Sequence, residues 1–158
     1  MKIVFFGSSD FSIHALKACL SSHKILHVIT IPDRKKGRGL KTAPSAIRLF
    51  AEEHGLSYTA TEDLKDPDFQ ENIAELGPEL FVVSSYGNFI PSSWLKIPSK
   101  LALNVHPSLL PKYRGAAPIQ RAVLAGEMET GLSIAEVTSK LDAGNLFYQE
   151  RFLLSENM

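Results

Sequence analysis

The sequence predicts an α/β fold in which a mostly parallel sheet is flanked by helices. Strand-like segments alternate with helical segments along most of the chain, the strand-like segments are nearly continuous apolar runs, and polar residues gather directly after these runs. Strands that are apolar throughout are buried on both faces, as in parallel sheets covered by helices. Ligands bind such sheets beyond the carboxyl ends of the strands, so the polar segments found there are the candidate sites.

The spacing of apolar residues places the individual elements. Apolar runs predict strands at residues 2–6, 25–31, 80–83 and 101–105, a weaker strand at 57–60, and two late strands at 132–137 and 146–154. Apolar residues at helical spacing predict helices near residues 11–20, 44–55, 69–76 and 117–125. Residues 33–43 are rich in basic residues and glycine, which predicts a loop.

The composition excludes several classes of protein. The 158 residues are 44% hydrophobic and 22% charged, and the formal net charge is zero, so attraction to a polyanion requires local clustering of basic residues. A single cysteine, Cys19, excludes an internal disulfide. No apolar run is long enough to span a membrane, and the N-terminus resembles a strand more than a signal peptide. We therefore expect a cytoplasmic protein with no membrane partner.

The first predicted strand does not lead into a dinucleotide-binding turn. Only Gly7 is present, and Ser8, Ser9 and Asp10 follow it where further glycines would be needed. We therefore expect no nucleotide cofactor.

Asn104 and His106 are the most informative polar pair. They lie two residues apart at the end of a predicted strand, so their side chains point the same way, and Pro107 ends the regular strand. Both side chains can donate hydrogen bonds into a crevice at the sheet edge. The alternative is a structural or surface histidine, which is the commoner role of a single histidine.

Asp142 lies directly after another predicted strand. An aspartate in a turn before glycine is the alternative interpretation, but neighbouring strand ends in a parallel sheet converge, which would bring this carboxylate to His106. No serine or cysteine nucleophile accompanies the three residues, and one histidine with one distant carboxylate is too few for a metal site. The set suits stabilisation of an oxyanion and transfer of a proton.

Two segments after predicted strands combine apolar or aromatic residues with glycine and proline, at residues 84–91 and 108–115. An apolar slot with backbone donors suits a flat, partly aromatic ligand. Each segment could equally be a surface connection.

Residues 104–111 (Asn-Val-His-Pro-Ser-Leu-Leu-Pro) and 141–144 (Leu-Asp-Ala-Gly) resemble the signature of the folate-dependent formyltransferases. The resemblance implies a Rossmann-like, three-layer domain, 10-formyltetrahydrofolate as co-substrate and no metal. It also implies that the catalytic residues are Asn104, His106 and Asp142. The implied folate contacts are Tyr86, Gly87, Asn88, Phe89, Ile90, Ser108, Leu109, Leu110 and Pro111.

Residues 6–11 and 114–120 resemble the members of this family that formylate methionyl-tRNA. The implied reaction is attack of the methionyl amine on the formyl group, for translation initiation, with initiator methionyl-tRNA and folate as partners. Two alternatives stay open, an N-formyltransferase acting on sugar nucleotides and a noncatalytic remnant that binds tRNA or folate.

The basic segment bears on that choice. Within residues 33–41 five basic residues stand against one acidic residue, a local net charge of +4. The resemblance implies that they bind tRNA phosphates, whereas a solvated loop is the alternative. These residues are Arg34, Lys35, Lys36, Arg38 and Lys41.

The resemblance also sets an expectation for domain organisation. Residues 1–158 are expected to form the catalytic, folate-binding domain without its C-terminal end, and the second, OB-like C-terminal domain of the family is expected to be absent. Oligomeric state does not follow from the sequence, although a monomer is expected for full-length members.

Overall fold

The protein is described by a computed structural model that covers residues 1–36 and 41–154. The chain divides into two compact units, Met1–Ala102 and Leu103–Met158, and each is described by itself. Arg38, a predicted tRNA contact, lies outside the described residues.

Helices and strands alternate as predicted. The α-helices are α1 (Asp10–Leu20), α2 (Ala46–Glu53), α3 (Pro67–Glu75) and α4 (Pro118–Leu124), and a short 3₁₀ helix covers Trp94–Lys96. The strands are β1 (Lys2–Gly7), β2 (Lys24–Thr30), β3 (Arg34–Lys36), β4 (Lys41–Ala43), β5 (Tyr58–Ala60), β6 (Leu80–Ser84), β7 (Leu101–His106), β8 (Glu129–Glu136) and β9 (Leu146–Leu153).

The first unit contains a parallel sheet. β1 pairs with β2 on one side and with β6 on the other, and β2 also pairs with β5, all in parallel. β1 is buried from Ile3 to Gly7, as its uninterrupted apolar sequence predicted.

Helical elements cover both faces of this sheet. α1 packs against α2 and against β1, β2 and β6. On the other face the ring of Phe6 lies 6.1 Å from Trp94, which in turn lies 5.4 Å from Phe69 of α3. Buried helix–sheet contacts on both sides make the first unit a three-layer α/β structure, so the predicted fold class is confirmed.

The basic segment is not a simple loop. Residues 34–36 pair antiparallel with residues 41–43 as β3 and β4, with Arg34 opposite Ala43 and Lys36 opposite Lys41. The prediction of a loop was wrong for these residues because a two-stranded ladder is held by backbone hydrogen bonds and needs no apolar side chains.

The second unit contains antiparallel strands. β8 pairs antiparallel with β7 from Leu103 to His106, and β9 pairs antiparallel with β8. All eight residues of β9 are exposed, in contrast to β1. No helix among residues 1–36 and 41–154 is long and apolar enough to cross a membrane.

We expect the core of the first unit to distinguish two leucines of the same helical layer. Leu16 on α1 is fully buried and Leu49 on α2 is 53% exposed. Leu16→Ala should lower the free energy of unfolding by about 2–5 kcal/mol, because it opens a cavity in a close-packed core. Leu49→Ala is the control and should cost less than about 1 kcal/mol. Urea denaturation measures both, and equal losses would contradict the layer assignment.

Candidate active site

Asn104 and His106 lie on the same face of β7. Asn104 pairs with Ala135 of β8 and His106 pairs with Ser133, so both side chains occupy matching positions of the pleat. The predicted placement of the pair at the end of a strand therefore holds.

Asp142 lies beside this pair, but the part of the chain that places it there differs from the prediction. β8 runs antiparallel to β7, so its carboxyl end lies beside Leu103, at the beginning of β7. The expectation that two parallel strand ends converge was therefore wrong. Asp142 instead lies in the connection between β8 and β9, which brings the carboxylate back to Asn104 and His106.

The Asp142 carboxylate contacts two other segments of the second unit, β7 and the turn at Gly115. Its Oδ1 accepts a hydrogen bond from Asn104 Nδ2 at 2.9 Å. Its Oδ2 accepts one from the Gly115 backbone amide at 2.7 Å and lies 3.1 Å from His106 Nε2. The side chains of Asp142 and His106 are only 8% and 6% exposed, so the cluster is shielded from water.

The pKa of Asp142 follows from these contacts. Burial raises the pKa of this carboxyl, but the neighbouring His106, the Gly115 amide and the Asn104 amide outweigh burial and lower it overall. An aspartate in an unfolded chain has a pKa of about 3.9. The ionised carboxylate therefore stabilises the folded chain above that pH, and this contribution is lost as the pH falls through the lower folded pKa.

The two nitrogens of His106 face different groups. Its Nδ1 lies 3.0 Å from the Ser108 hydroxyl. Its Nε2 is buried and lies 3.1 Å from Asp142 Oδ2, with no further partner among the described residues. A proton on Nε2 would be stabilised by this carboxylate, and Nε2 is the ring nitrogen that a bound ligand could contact.

The segment after His106 is held by two polar residues that the sequence analysis missed. Ser133 Oγ donates to the Ser108 carbonyl at 2.6 Å and accepts from the Leu110 amide at 3.1 Å. Gln149 Nε2 donates to the Leu110 carbonyl at 2.8 Å and to Ser133 Oγ at 2.9 Å. One available signal was the small, buried residues at alternating positions of β8, namely Gly131, Ser133 and Ala135.

The two leucines of this segment pack inside the unit. Leu110 is only 6% exposed. Leu109 lies directly over Gly131, where any β-carbon would collide with the Leu109 side chain and with the Glu150 carbonyl. Leu109 and Leu110 thus anchor the segment, while Pro111 is exposed.

The Gly115 amide reaches Asp142 from a tightly turned segment. Tyr113, Gly115 and Ala117 all have positive φ, at 58°, 84° and 51°. Non-glycine residues adopt this region at a cost, so the segment holds its shape against local strain. That shape points the Gly115 amide at Asp142 Oδ2.

Residues 86–90 belong to the first unit. Tyr86 is buried, and its hydroxyl donates to the Thr61 carbonyl at 3.2 Å. Asn88 Nδ2 donates to the Glu62 carbonyl at 2.8 Å, and Phe89 is 63% exposed. Of this predicted ligand-binding segment, the Phe89 ring is therefore the part most open to a ligand.

A cavity of the second unit lies away from this cluster. It has a volume of about 220 Å³ beside residues 109–113, with walls that include Thr130, Gln149 and Arg151. Asn104, His106 and Asp142 do not line it. No group of three or more histidine, cysteine, aspartate or glutamate side chains within the described ranges could hold a metal ion.

Comparison with known proteins identifies relatives of the chain. A family model described as "Formyl transferase" matches residues 1–157. A methionyl-tRNA formyltransferase of Methylobacillus flagellatus is 46% identical over 158 residues, covering 99% of this chain and 51% of that protein. One of Thermus thermophilus is 45% identical over 147 residues, covering 93% of this chain and 48% of that protein. The chain thus spans about half the length of these curated relatives.

Solved structures share the fold. A phosphoribosylglycinamide formyltransferase of Bacillus halodurans matches with a TM-score of 0.78 at 19% identity, covering all of this chain and 82% of that chain. A formyltetrahydrofolate deformylase of Pseudomonas syringae matches with a TM-score of 0.73 at 21% identity, covering 98% of this chain and 51% of that chain.

We expect the Gly115 contact to be required for the low pKa of Asp142. Gly115→Ala strains the backbone at φ +84° by about 1–2 kcal/mol and should move the amide away from the carboxylate, raising the Asp142 pKa. Gly126→Ala is a matched control, because Gly126 also has positive φ, at +67°, with nothing within 4 Å of an added β-carbon. Both variants carry the same kind of backbone strain, and Gly115→Ala should lose additional stability at neutral pH because its folded carboxyl pKa rises. NMR titration should find the Asp142 pKa raised only in Gly115→Ala. An unchanged Asp142 pKa would show that the Gly115 amide does not contribute to the low pKa of this carboxyl.

Proposed function

The chain belongs to the formyl transferase family, and from this we propose that it transfers a formyl group from 10-formyltetrahydrofolate to the amine of methionyl-tRNA. The observation that carries the proposal is the buried Nε2 of His106 beside the Asp142 carboxylate, in segments that resemble the signature of that family. In this proposal the reaction serves translation initiation. The proposed location of the protein is therefore the cytoplasm.

In the proposed reaction the residues of β7 stabilise an oxyanion. The co-substrate supplies a formyl carbon bound to nitrogen. The acceptor amine forms a new bond to that carbon, the bond to the folate nitrogen breaks, and one proton passes from the amine to the departing nitrogen. His106 Nε2 and the second N–H of Asn104 Nδ2 are the donors for the oxygen that becomes negative.

Asp142 has two roles in this proposal. Its Oδ1 holds the Asn104 amide, which fixes the direction of the remaining N–H. Its Oδ2 places a negative charge 3.1 Å from His106 Nε2, so it orients the ring and stabilises a proton there. The lowered pKa keeps the carboxylate ionised at neutral pH and makes it a weak base. In the proposal it therefore helps to relay the amine proton through water toward the departing nitrogen, and does not retain that proton.

The folate contacts are proposed for two segments. In the first unit, the exposed Phe89 ring and the backbone around Gly87 suit stacking against a flat ring system. In the second unit, Ser108 and Leu110 are buried and already engaged, so residues 108–111 contribute the shape and backbone of the segment more than its side chains.

The tRNA contacts are proposed for the basic residues of β3 and β4. Arg34, Lys35, Lys36 and Lys41 lie in one antiparallel pair, so their backbone positions are close together. A cluster of basic residues on such a hairpin suits the phosphates of a nucleic acid.

The first test of the proposal is catalytic. His106→Ala should lower the rate of formyl transfer to methionyl-tRNA by about 10²–10³ or more, since one oxyanion donor is removed. His14→Ala, at an exposed position of α1, is the matched control and should retain wild-type activity. Wild-type turnover in His106→Ala would contradict the assignment.

The choice of acceptor is tested in the same assay by offering sugar-nucleotide amines beside methionyl-tRNA. Transfer only to a sugar nucleotide would replace the acceptor in the proposal. Binding of tRNA or folate without turnover would instead identify a noncatalytic protein.

The tRNA interaction is tested through its dependence on salt. Lys35→Ala with Lys36→Ala should weaken tRNA binding and flatten the plot of log K against log salt by about 0.7–0.9 for each phosphate that is no longer neutralised. Lys65→Ala with Lys96→Ala removes the same charge from exposed positions elsewhere and is the control. Equal slopes for the two double variants would refute a specific role of the hairpin.

A further inference from the structure

We infer that Ser108 is a positioning residue for His106, acting through the nitrogen that faces away from the substrate. Its single hydroxyl fixes the proton of the imidazole on Nδ1, so that any second proton lies on Nε2. The inference rests on the proposed function and assigns Ser108 a role other than ligand contact.

The geometry places one hydroxyl between two partners. Ser108 Oγ lies 3.0 Å from His106 Nδ1 and donates to the Lys112 carbonyl at 2.7 Å. Ser108 is fully buried, and His106 is 5% exposed. Water therefore does not compete for either contact.

Counting hydrogens decides the direction of each bond. The hydroxyl has one hydrogen, and the shorter contact directs it to the Lys112 carbonyl. The oxygen then has only lone pairs to offer to His106, so Nδ1 must carry a hydrogen and donate it. Nε2 is left as the position that gains or loses a proton.

The surroundings of Nε2 suit the charged ring, in which both nitrogens carry a proton. The groups that face His106 are Ser108 from its own segment and Asp142 from the connection between β8 and β9, and Asn104 is bonded to that same carboxylate. Of these only Asp142 ionises. A proton on Nε2 therefore meets a negative charge, while the proton on Nδ1 is held by a neutral acceptor.

A direct ligand contact by Ser108 is a poorer explanation. Its hydroxyl already makes two hydrogen bonds and its side chain has no exposed surface. Its backbone carbonyl is also occupied, since it accepts from Ser133 Oγ at 2.6 Å.

The decisive experiment compares the full chain with Ser108→Ala and with Ser139→Ala, an exposed serine of the same unit, as control. ¹⁵N NMR of the histidine ring reports which nitrogen carries the proton. We expect the neutral His106 of the wild type and of Ser139→Ala to hold it on Nδ1, and that of Ser108→Ala to move it to Nε2. An unchanged tautomer in folded Ser108→Ala would overturn the inference.

Kinetics add a second readout. Ser108→Ala should lower kcat by roughly 10- to 100-fold, the effect of removing one buried hydrogen bond, with KM for both substrates unchanged. A change confined to KM would overturn the inference in favour of ligand contact.

The two readouts also separate this inference from the proposed function. A tautomer shift in a chain that transfers no formyl group to any acceptor would uphold the positioning role and refute the proposed reaction. Ser108→Thr keeps the hydroxyl and, where it folds, should restore the Nδ1 tautomer. Loss of that tautomer in folded Ser108→Thr would count against the inference.

Discussion

The second unit depends on one buried carboxylate with contacts in three directions. Asp142 contacts Asn104 and His106 on β7 and the Gly115 amide in a strained turn. These contacts join three separate segments of the sequence: β7, the turn at Gly115 and the connection that holds Asp142. A buried charge is costly unless it is paired and hydrogen-bonded. The carboxylate therefore needs these contacts in order to be buried, and it also holds the contacting segments in place.

The side of His106 that faces away from Ser108 lies beside a negative charge. His106 Nε2 is buried 3.1 Å from Asp142 Oδ2, so a proton on this nitrogen is stabilised by the carboxylate. In the proposed reaction such a proton would bind an oxygen that becomes negative more strongly than its neutral precursor, which favours the transition state over the ground state.

Much of the first unit could be predicted because its signals are local. An uninterrupted apolar run such as β1 indicates a strand buried on both faces, and the structure agrees. The pairing of Asn104 with His106 was likewise visible from their spacing on one strand. The approach of Asp142 was expected for the wrong reason, because the direction of β8 is set by tertiary pairing. Ser133 and Gln149 were missed because an isolated serine or glutamine has no signature until its partners in the Ser108–Leu110 segment are known. The β3–β4 hairpin was missed because backbone pairing leaves no mark on side-chain hydropathy.

The exposure of β9 has a consequence for the response of the site to heat. Gln149 holds the Leu110 carbonyl and Ser133 from a strand whose eight residues are all exposed. Such a strand can detach by local opening, which needs less free energy than global unfolding. Each detachment frees the segment that carries Ser108. The His106 ring then loses the support of its contact with Ser108. The temperature up to which the site keeps its geometry would then be set by the fraying of β9. At that temperature calorimetry would still find the parallel sheet of the first unit intact.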